Sequence, residues 1–311
     1  MTSALEVIVI GGANIDIKAK SSGALISGTS NPGDVCFAPG GVARNIAYSL
    51  ARLDVPAALI TAVGADDLGD RLLAETEAAG VDCSMVLRTG QPTGSYVAIL
   101  DAQGELAFAV NAMSAMEKLT PAVLVDHEER LEAARLILAD CNLPVVSLVW
   151  LTRFRTKLVV ELVSVAKAER AHELRGLGVF ALTLNRRQAE QLCGSRIGSI
   201  ADAINAAAAL NEQGFERVIL TLGPLGAVVS QKDGGSAHVE AFAGIACDVT
   251  GAGDAAAAGL IFGLVENFDL VTTARLGQAA ASLVIGKMQS VSPDLSRARL
   301  LSLTSSRMDG R

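Results

Sequence analysis

Cysteine and histidine are scarce in the sequence, and neither is arranged as a set of metal ligands. The five cysteines are scattered, at Cys36, Cys83, Cys141, Cys193 and Cys247. The three histidines, His127, His172 and His238, form no cluster either. An odd number of cysteines without a CxxC pair indicates reduced thiols rather than a disulfide framework or a zinc site. We therefore expect a cytoplasmic protein without a transition-metal centre.

Excess positive charge and long apolar runs are also missing. The chain of 311 residues has a formal net charge of -7, whereas binding to a nucleic-acid backbone needs clustered lysine and arginine. The longest apolar stretch, residues 255–265, is too short to span a bilayer. The N-terminus lacks the pattern of a signal peptide. These absences argue against nucleic acid and membrane partners, while a small anion held by a glycine-rich loop stays compatible with the charge.

Hydrophobic residues make up 50% of the sequence and charged residues 19%, which is enough apolar surface for a large core. Short β-branched runs alternate with helical patterns, as is typical of a parallel sheet covered by helices. The predicted strands are residues 7–10, 59–63, 136–139, 179–184 and 218–222. The predicted helices are residues 66–79, 254–265 and 272–285. We expect an α/β fold and one domain, residues 1–311.

Two segments, about 15–38 and 93–111, interrupt this alternation. Each has the pattern of a β-hairpin with no helix between its strands, and residues 101–104 are the turn of the second hairpin. A small sheet inserted early in an α/β chain can act as a lid over a binding site. We therefore predict a lid formed by these two segments.

The run DVTGAGD, residues 248–254, is the sharpest functional pattern. Its glycines make a turn directly before an alanine-rich helix, so free backbone N–H groups and the helix dipole create an anion site. Asp254 falls in the first helical turn, where its carboxylate can accept the proton of an attacking alcohol. The amides beside it can stabilise a transferring phosphoryl group.

Other polar residues stand at predicted strand ends and helix starts. Asn14 and Asp16 follow the first strand two residues apart, so on an extended chain they share a face and suit vicinal hydroxyls. Gly40 and Gly41 permit close approach of a ligand to the backbone, and Asn45 follows on the first helical turn. Taken singly, each pattern, including residues 248–254, also suits an ordinary strand end or helix start.

Together and in this order, the segments resemble the PfkB family of carbohydrate kinases over nearly the whole chain. Residues 40–41 are similar to the N-terminal signature of the family, and residues 248–254 to the C-terminal one. The resemblance implies a ribokinase-like three-layer αβα fold with a mostly parallel central sheet and a small β-sheet lid. It also implies ATP and Mg²⁺ as cofactors, allows for K⁺, and suggests a homodimer formed through the lid.

The resemblance assigns roles to individual residues. Asp254 would be the catalytic base, and the anion hole would consist of Gly251, Ala252 and Gly253. The acceptor would be bound by Asn14, Asp16, Gly40, Gly41 and Asn45. By analogy with one branch of the family, that of the pseudouridine kinases, the base or ribose would be faced by Ser30, Asn31, Thr93, Asn111 and Asn142. The nucleotide would be bordered by Asn185, Thr221, Gly223, Gly226 and Thr250.

Finer features resemble the pseudouridine kinase branch of the family. They are the runs GGANID at 11–16, SNPG at 30–33, RNIA at 44–47, ADCN at 139–142 and PDLS at 293–296. This likeness implies ATP-dependent phosphorylation of the 5′-hydroxyl of pseudouridine. Another nucleoside or a ribose-type sugar stays open as the acceptor, and so does a nucleoside-binding protein with weak catalysis.

The chain departs from the family pattern in a run associated with magnesium. Family members carry Asn-x-x-Glu, whereas this chain has Asn185 followed by the neutral Gln188. The branch has an Asp-Pro-Val-Ser run where this chain has ELVS at 161–164. The indirect magnesium site expected at Asn185 and Gln188 therefore lacks its negative charge, and weaker magnesium binding is expected.

Overall fold

The computed structural model describes residues 6–242, 251–284 and 291–306. The strands are β1 (Val7–Ile10), β2 (Asn14–Ser21), β3 (Gly33–Gly40), β4 (Ala57–Ile60), β5 (Ala62–Gly64), β6 (Leu87–Thr89), β7 (Ser95–Leu100), β8 (Leu106–Ala112), β9 (Leu136–Asp140), β10 (Leu158–Glu161), β11 (Ala181–Asn185), β12 (Arg217–Thr221), β13 (Ala227–Gln231) and β14 (Gly235–Val239). The helices are α1 (Val42–Arg52), α2 (Asp67–Glu77), α3 (Pro121–Leu124), α4 (Glu128–Ala133), α5 (Val145–Leu151), α6 (Val165–Ala168), α7 (Arg186–Cys193), α8 (Ile200–Glu212), α9 (Ala252–Val265), α10 (Leu270–Ser282) and α11 (Arg297–Ser306).

Eight strands form the central sheet, in the order β14-β13-β12-β11-β10-β9-β1-β4. The strands from β12 to β4 run parallel, and β13 and β14 extend one edge in antiparallel pairing. Alternate residues of β1 enter different cores: Ile8 and Ile10 pack in one, and Val7 and Val9 in the other. Both faces of the sheet are therefore covered by helices, which confirms the expected three-layer αβα fold.

One helical layer holds α9 firmly against its neighbours. The layer consists of α1, α9, α10 and α11, and α9 packs on α10 through glycine. A Cβ at Gly259 would lie 2.6 Å from the carbonyl oxygen of Leu276, and one at Gly263 would lie 2.8 Å from Thr273 Oγ1. Such close packing fixes the helix that begins at residues 252–254. No helix in the described ranges is both long enough and apolar enough to cross a membrane.

A separate four-stranded sheet has the order β3-β2-β7-β8 and is called the small sheet below. β2 pairs with β3 and β7 with β8 in antiparallel fashion, which confirms both predicted hairpins. The turn of the second hairpin is closed by the N–H of Asp101, which donates to the carbonyl of Glu105 at 2.9 Å. Whether this sheet closes over a bound acceptor as a lid stays a prediction.

Several predicted element boundaries differ from the structure. The strand predicted over 59–63 is two strands: β4 ends at Ile60 in the central sheet, and β5 leaves that sheet to pair with β6. The helix predicted over 272–285 begins at Leu270, because the side chain of Asp269 accepts hydrogen bonds from the N–H groups of Val271 and Thr272. Residue 285 lies outside the described residues. β10, β13 and β14 were not among the predicted strands.

Candidate active site

The turn after β1 lies on a buried carboxylate. A Cβ at Gly11, where φ is 151°, would lie 2.2 Å from the carboxyl carbon of Asp140. Asp140 ends β9, is completely buried, and accepts hydrogen bonds from the N–H groups of Gly12 (2.8 Å), Ala43 (3.1 Å) and Asn142 (2.8 Å). Burial raises the pKa of Asp140, and the hydrogen bonds from Gly12 and Asn142 oppose the rise. Asp140 therefore fixes three backbone segments around the site, a role that the sequence patterns did not indicate.

Asn14 and Asp16 begin β2 beside the end of β3. Asn14 Nδ2 donates to Asp16 Oδ1 at 2.7 Å, so the two side chains lie together, as their spacing predicts. A Cβ at Gly40 would come within 2.4 Å of the Asp16 carboxylate. Gly41 precedes α1 with a φ of 97°, and a Cβ there would lie 2.4 Å from the carbonyl oxygen of Gly12. The two glycines are therefore needed for close contact between β3, the Asp16 carboxylate and the β1 turn.

Asp254 lies in the first turn of α9 and faces α1. Gly251 precedes the helix with a φ of 79°, and no side chain caps the helix start. The N–H groups of Ala252 and Gly253 consequently have no partner within the helix. Asn45 on α1 donates from Nδ2 to Asp254 Oδ2 at 2.8 Å. The structure thus brings the base candidate, the helix N-terminus and Asn45 together.

Carboxyl groups from four elements influence one another at this place. Burial raises the pKa of Asp254 to about 7, with further increases from Asp140 and Asp16, while the hydrogen bond from Asn45 opposes them. Burial likewise raises the pKa of Glu161, at the end of β10, to about 7, and the charges of Asp254 and Asp140 add to the rise. Two carboxyl groups of the site therefore have a pKa near neutral pH, the range that suits a general base.

The site has two parts. The first lies around the β1 turn, Asp16 and Asp254. The other part, called the second cleft below, opens at the carboxyl ends of β10, β11 and β12 and reaches α9. It is lined by Glu161, Thr183, Leu184, Asn185, Gln188, Thr221, Gly253, Ala256, Ala257 and Leu260. The hydroxyl of Thr183 donates to the carboxylate of Glu161. Because Gly253 lines this cleft while Asp254 contacts Asn45, the N-terminus of α9 lies between the cleft and the β1 turn. Ligands in parallel α/β sheets bind at this edge, outside the carboxyl ends of the strands.

Asn185 and Gln188 form a reciprocal cap at the start of α7. Gln188 Oε1 accepts a hydrogen bond from the N–H of Asn185 at 2.7 Å, and Asn185 Oδ1 accepts one from the N–H of Gln188 at 3.1 Å. Their predicted part in an indirect magnesium site stays a prediction. Across residues 6–242, 251–284 and 291–306, no group of three or more histidine, cysteine, aspartate or glutamate side chains is arranged to hold a metal ion.

Comparison with known proteins agrees with this geometry. The sequence profile of the pfkB family of carbohydrate kinases matches residues 4–297. The chain belongs to this family. Members of the pfkB family are phosphotransferases that use an alcohol as acceptor, so the chain is a kinase of ribokinase-like fold.

Individual pfkB relatives cover the chain almost completely. It is 35% identical over 300 residues to the pseudouridine kinase of Escherichia coli (strain K12), with 96% of each chain covered. It is 28% identical over 292 residues to the guanosine-inosine kinase of Exiguobacterium acetylicum, covering 91% of this chain and 95% of the relative. The structure of Arabidopsis thaliana ribokinase complexed with ribose and ATP matches with a TM-score of 0.83 at 21% identity, covering 97% of this chain and 99% of the ribokinase.

Ser30, Asn31 and Thr93 are three of the acceptor residues expected for a pfkB kinase. Ser30 and Asn31 lie in the loop between β2 and β3, at the far end of β2 from the site, where the Asn31 side chain is bonded to the loop backbone. Thr93 is buried, and its hydroxyl donates to Asp66 at 2.5 Å and accepts from the N–H of Gly64 at 2.9 Å. Contact of these residues with an acceptor stays a prediction.

Asn111 and Asn142 are the remaining predicted acceptor residues, and both lie near the β1 turn or Asp16. Asn111 on β8 is opposite Tyr96 on β7, which is opposite Asp16 on β2. The three side chains therefore form a row on one face of the small sheet. Asn142 is almost fully buried beside the β1 turn, and its Oδ1 accepts a hydrogen bond from Lys167. Both residues are placed near Asp16 or the turn, and their contact with an acceptor stays a prediction.

The residues predicted to border the nucleotide lie in different environments of this pfkB chain. Thr221 lines the second cleft. Gly223 and Gly226 form the turn from β12 to β13 with φ values of 62° and 88°, and a Cβ at Gly226 would lie 2.0 Å from the carbonyl oxygen of Val239. Gly226 is therefore required by packing. Thr250, with the rest of residues 243–250, lies outside the described residues.

Proposed function

We propose that the chain transfers the γ-phosphoryl group of ATP to the 5′-hydroxyl of a nucleoside, with pseudouridine as the favoured acceptor. The observation that carries this proposal is Asp254, held by Asn45 at the start of α9 and electrostatically coupled to Asp16 of the small sheet. Asn14 and Asp16 would orient the ribose through its vicinal hydroxyls. The 35% identity to a protein named pseudouridine kinase supports the choice of nucleoside.

In the proposed mechanism, Asp254 acts through the oxygen that Asn45 leaves free. Oδ2 is held by Asn45. Oδ1 accepts the proton of the 5′-hydroxyl while the 5′-oxygen of the nucleoside attacks the γ-phosphorus. The bond between the γ-phosphorus and the β–γ bridging oxygen breaks, and ADP leaves with the electron pair. The N–H groups of Ala252 and Gly253, which have no partner within the helix, stabilise negative charge on the transferred phosphoryl group.

We assign ATP and its Mg²⁺ to the second cleft. Its oxygen donors, the Glu161 carboxylate and the hydroxyls of Thr183 and Thr221, are of the hard type that Mg²⁺ prefers. When bound, the metal would offset the negative charge of the phosphates. Because Gln188 is neutral, Glu161 is the carboxyl group of this cleft that can supply the missing negative charge.

A K⁺ requirement and a cytoplasmic location are further parts of the proposal. The four cysteines of the described residues, Cys36, Cys83, Cys141 and Cys193, are all free thiols, which suits a reducing compartment. Exchange of K⁺ for Na⁺ in the assay tests the ion requirement, which the family resemblance alone motivates.

A panel of acceptors tests the proposed activity. Pseudouridine, uridine, guanosine, inosine and ribose are compared with ADP formation as the readout, and the position of the new phosphate is identified by ³¹P NMR. The proposal predicts the highest kcat/KM for pseudouridine and a 5′-phosphate product. Preference for guanosine or inosine would favour the alternative purine nucleoside kinase, and preference for ribose over every nucleoside would reject a nucleoside kinase.

The rate is expected to fall on the acid side of neutrality. Since burial raises the pKa of the Asp254 carboxyl to about 7, the base is protonated below that pH. We expect kcat to drop about tenfold per pH unit below pH 7 and to level off above it. Rates measured between pH 5.5 and 8.5 check this expectation, and Glu161→Gln separates the contribution of the second carboxyl group. A flat profile down to pH 5.5 would contradict it.

Restoring a carboxylate at residue 188 is expected to strengthen magnesium binding. The second candidate function is nucleoside binding with weak catalysis, and the neutral Gln188 in the second cleft favours this alternative. A glutamate can form the same helix cap, so Gln188→Glu adds charge without removing the contact to Asn185. We expect the half-saturating Mg²⁺ concentration to fall about 3- to 10-fold and kcat to rise. Gln103→Glu in the exposed β7–β8 turn is the control, and an unchanged Mg²⁺ dependence would refute the proposed cause.

We also propose a homodimer formed through the outer face of the small sheet. The strand registers place two rows of side chains on that face: Val35, Ala19, Ile99 and Phe108 in one, and Phe37, Ile17, Val97 and Val110 in the other. Phe108 and Val110 are 67% and 66% exposed. An apolar sheet face of this kind is typical of an interface, and a second small sheet offers the matching surface.

Introducing charge on this face is expected to give a monomer. In Phe108→Glu, a carboxylate would have to be buried between two sheets, which is unfavourable. Sedimentation velocity is expected to show a dimer for the wild type and a monomer for the variant. A wild-type monomer at micromolar concentration, or a variant that stays dimeric, would count against this interface.

A further inference from the structure

Arg44 is a charged residue in an unusual position, since only 2% of it is exposed. It lies on α1 directly before Asn45, and burial lowers the pKa of its guanidinium. A buried charge is unfavourable unless its hydrogen-bonding groups have partners. The position of Arg44 therefore calls for a set of acceptors, and these acceptors link it to the site.

The guanidinium is held by three acceptors and an aromatic ring. Its Nε donates to Thr76 Oγ1 at 3.0 Å. Its Nη1 donates to the carbonyl of Pro39 at 3.5 Å and to Asn45 Oδ1 at 3.3 Å. The ring of Tyr48 lies 4.8 Å from the guanidinium carbon. Because Thr76 belongs to α2 and Pro39 to β3, the guanidinium is fixed from several elements.

This contact determines which way the Asn45 amide points. Oδ1 of Asn45 accepts from Arg44, and Nδ2 donates to Asp254 Oδ2 at 2.8 Å. A flipped amide would place its oxygen against the Asp254 carboxylate and its NH₂ group against the guanidinium, so both contacts would become unfavourable. In the observed orientation, the amide holds one oxygen of Asp254 and leaves the other free.

We propose that Arg44 is a positioning residue for phosphoryl transfer, which holds the Asn45 amide so that its nitrogen fixes Asp254. Arg44 acts on Asp254 through Asn45, and the inference rests on the proposed role of Asp254 as base. Arg44 is thus a buried cation that affects the rate of phosphoryl transfer without touching the reacting atoms, because it contacts Asn45 and Asn45 contacts Asp254. A purely structural Arg44 would affect stability without a selective effect on kcat.

Steady-state kinetics of Arg44→Met test the proposal. Methionine retains apolar volume but donates no hydrogen bond, so the Asn45 amide is free to turn. We expect kcat to fall about 10- to 100-fold, the weight of a hydrogen bond to a charged group, while the KM values for acceptor and ATP stay within about threefold. Arg44→Lys is expected to recover part of the loss. Arg52→Met, on the exposed side of the same helix, is the matched control with wild-type kinetics.

A double-mutant cycle shows whether the effect passes through Asn45. In the Asn45→Ala background, Arg44→Met is expected to lower kcat by less than about threefold. Additive effects, or wild-type kcat in Arg44→Met, would overturn the proposal. If the methionine variant does not fold, Arg44→Lys decides, because it lacks the planar pair of donors: a kcat loss of about 3- to 10-fold supports the proposal and wild-type kcat overturns it.

The assays use the acceptor with the highest kcat/KM in the panel. A wrong acceptor assignment then changes which compound is turned over, whereas a wrong role for Arg44 leaves kcat unaffected in the variants. The two failures are therefore distinguishable.

Discussion

Asp254→Asn is expected to lower kcat about 10²- to 10⁴-fold, the usual contribution of a positioned general base. Asparagine occupies the same space but cannot accept the proton of the 5′-hydroxyl. Nucleoside affinity is expected to stay within about threefold, because ribose binding is assigned to Asn14 and Asp16. The measurements are steady-state ADP formation and calorimetric titration with pseudouridine. Turnover within threefold of the wild type would remove Asp254 from the mechanism.

The same substitution is expected to stabilise the fold at alkaline pH. Burial raises the folded-state pKa of Asp254 from an ordinary value of 3.8 to about 7. The favourable contribution of the protonated group is therefore complete below pH 3.8 and lost as the pH rises through about 7. Above that pH, ionisation of this partly buried carboxyl group costs on the order of a few kcal/mol. Tm should be higher for Asp254→Asn than for wild type at pH 8.5, and the difference should shrink towards pH 5.

Asp16→Ala is expected to lower kcat/KM about 10²- to 10⁴-fold, chiefly by raising KM for the nucleoside. In the proposed complex, the Asp16 carboxylate accepts hydrogen bonds from the vicinal ribose hydroxyls, and each bond to a charged group contributes about 1.5–3 kcal/mol. The alanine variant also leaves Asn14 Nδ2 without the partner that it has at 2.7 Å. Initial rates over a range of pseudouridine concentrations, together with calorimetry, separate this loss of binding from the loss of chemistry expected for Asp254→Asn.

Asp34→Ala is the matched control for Asp16→Ala. Asp34 is an exposed carboxylate on β3 of the same small sheet, at the far end of the strand from Gly40. Its removal is expected to leave kcat and KM within about twofold of wild type. Equal losses in the two variants would indicate an effect on the small sheet as a whole and would contradict a specific role for Asp16.

The sequence patterns were most informative where the function requires a particular backbone. Gly40 and Gly41 are needed because a Cβ would collide with neighbouring groups, and Gly251 because its φ of 79° begins α9 without a side-chain cap. Such requirements are visible as glycines at particular positions of the sequence. The two hairpins are visible in the same way, as short stretches in which the residues alternate with a period of two. The α/β class and the small sheet were therefore predictable from the sequence, whereas the presence of Asp254 and Asn45 at one site was implied only by the family resemblance.

The remaining features depend on contacts between residues far apart in the chain. Asp140 accepts hydrogen bonds from Gly12 and Ala43, more than 90 residues away in sequence, and no local pattern encodes those partners. Glu161 stood out in the sequence only as a departure from a family run. Its position at the end of the short strand β10 was the available signal, because ligands bind at the carboxyl ends of parallel strands. The sequence patterns did not predict the short strand β10, so they did not place Glu161 at a strand end.

A crystal structure with pseudouridine and a non-hydrolysable ATP analogue tests the central claim most directly. The account predicts the 5′-oxygen within about 3.2 Å of an Asp254 oxygen, the ribose hydroxyls on Asn14 and Asp16, and the γ-phosphate at the start of α9. A nucleoside bound with its 5′-oxygen turned away from Asp254, or placed against Glu161 instead, would contradict the account.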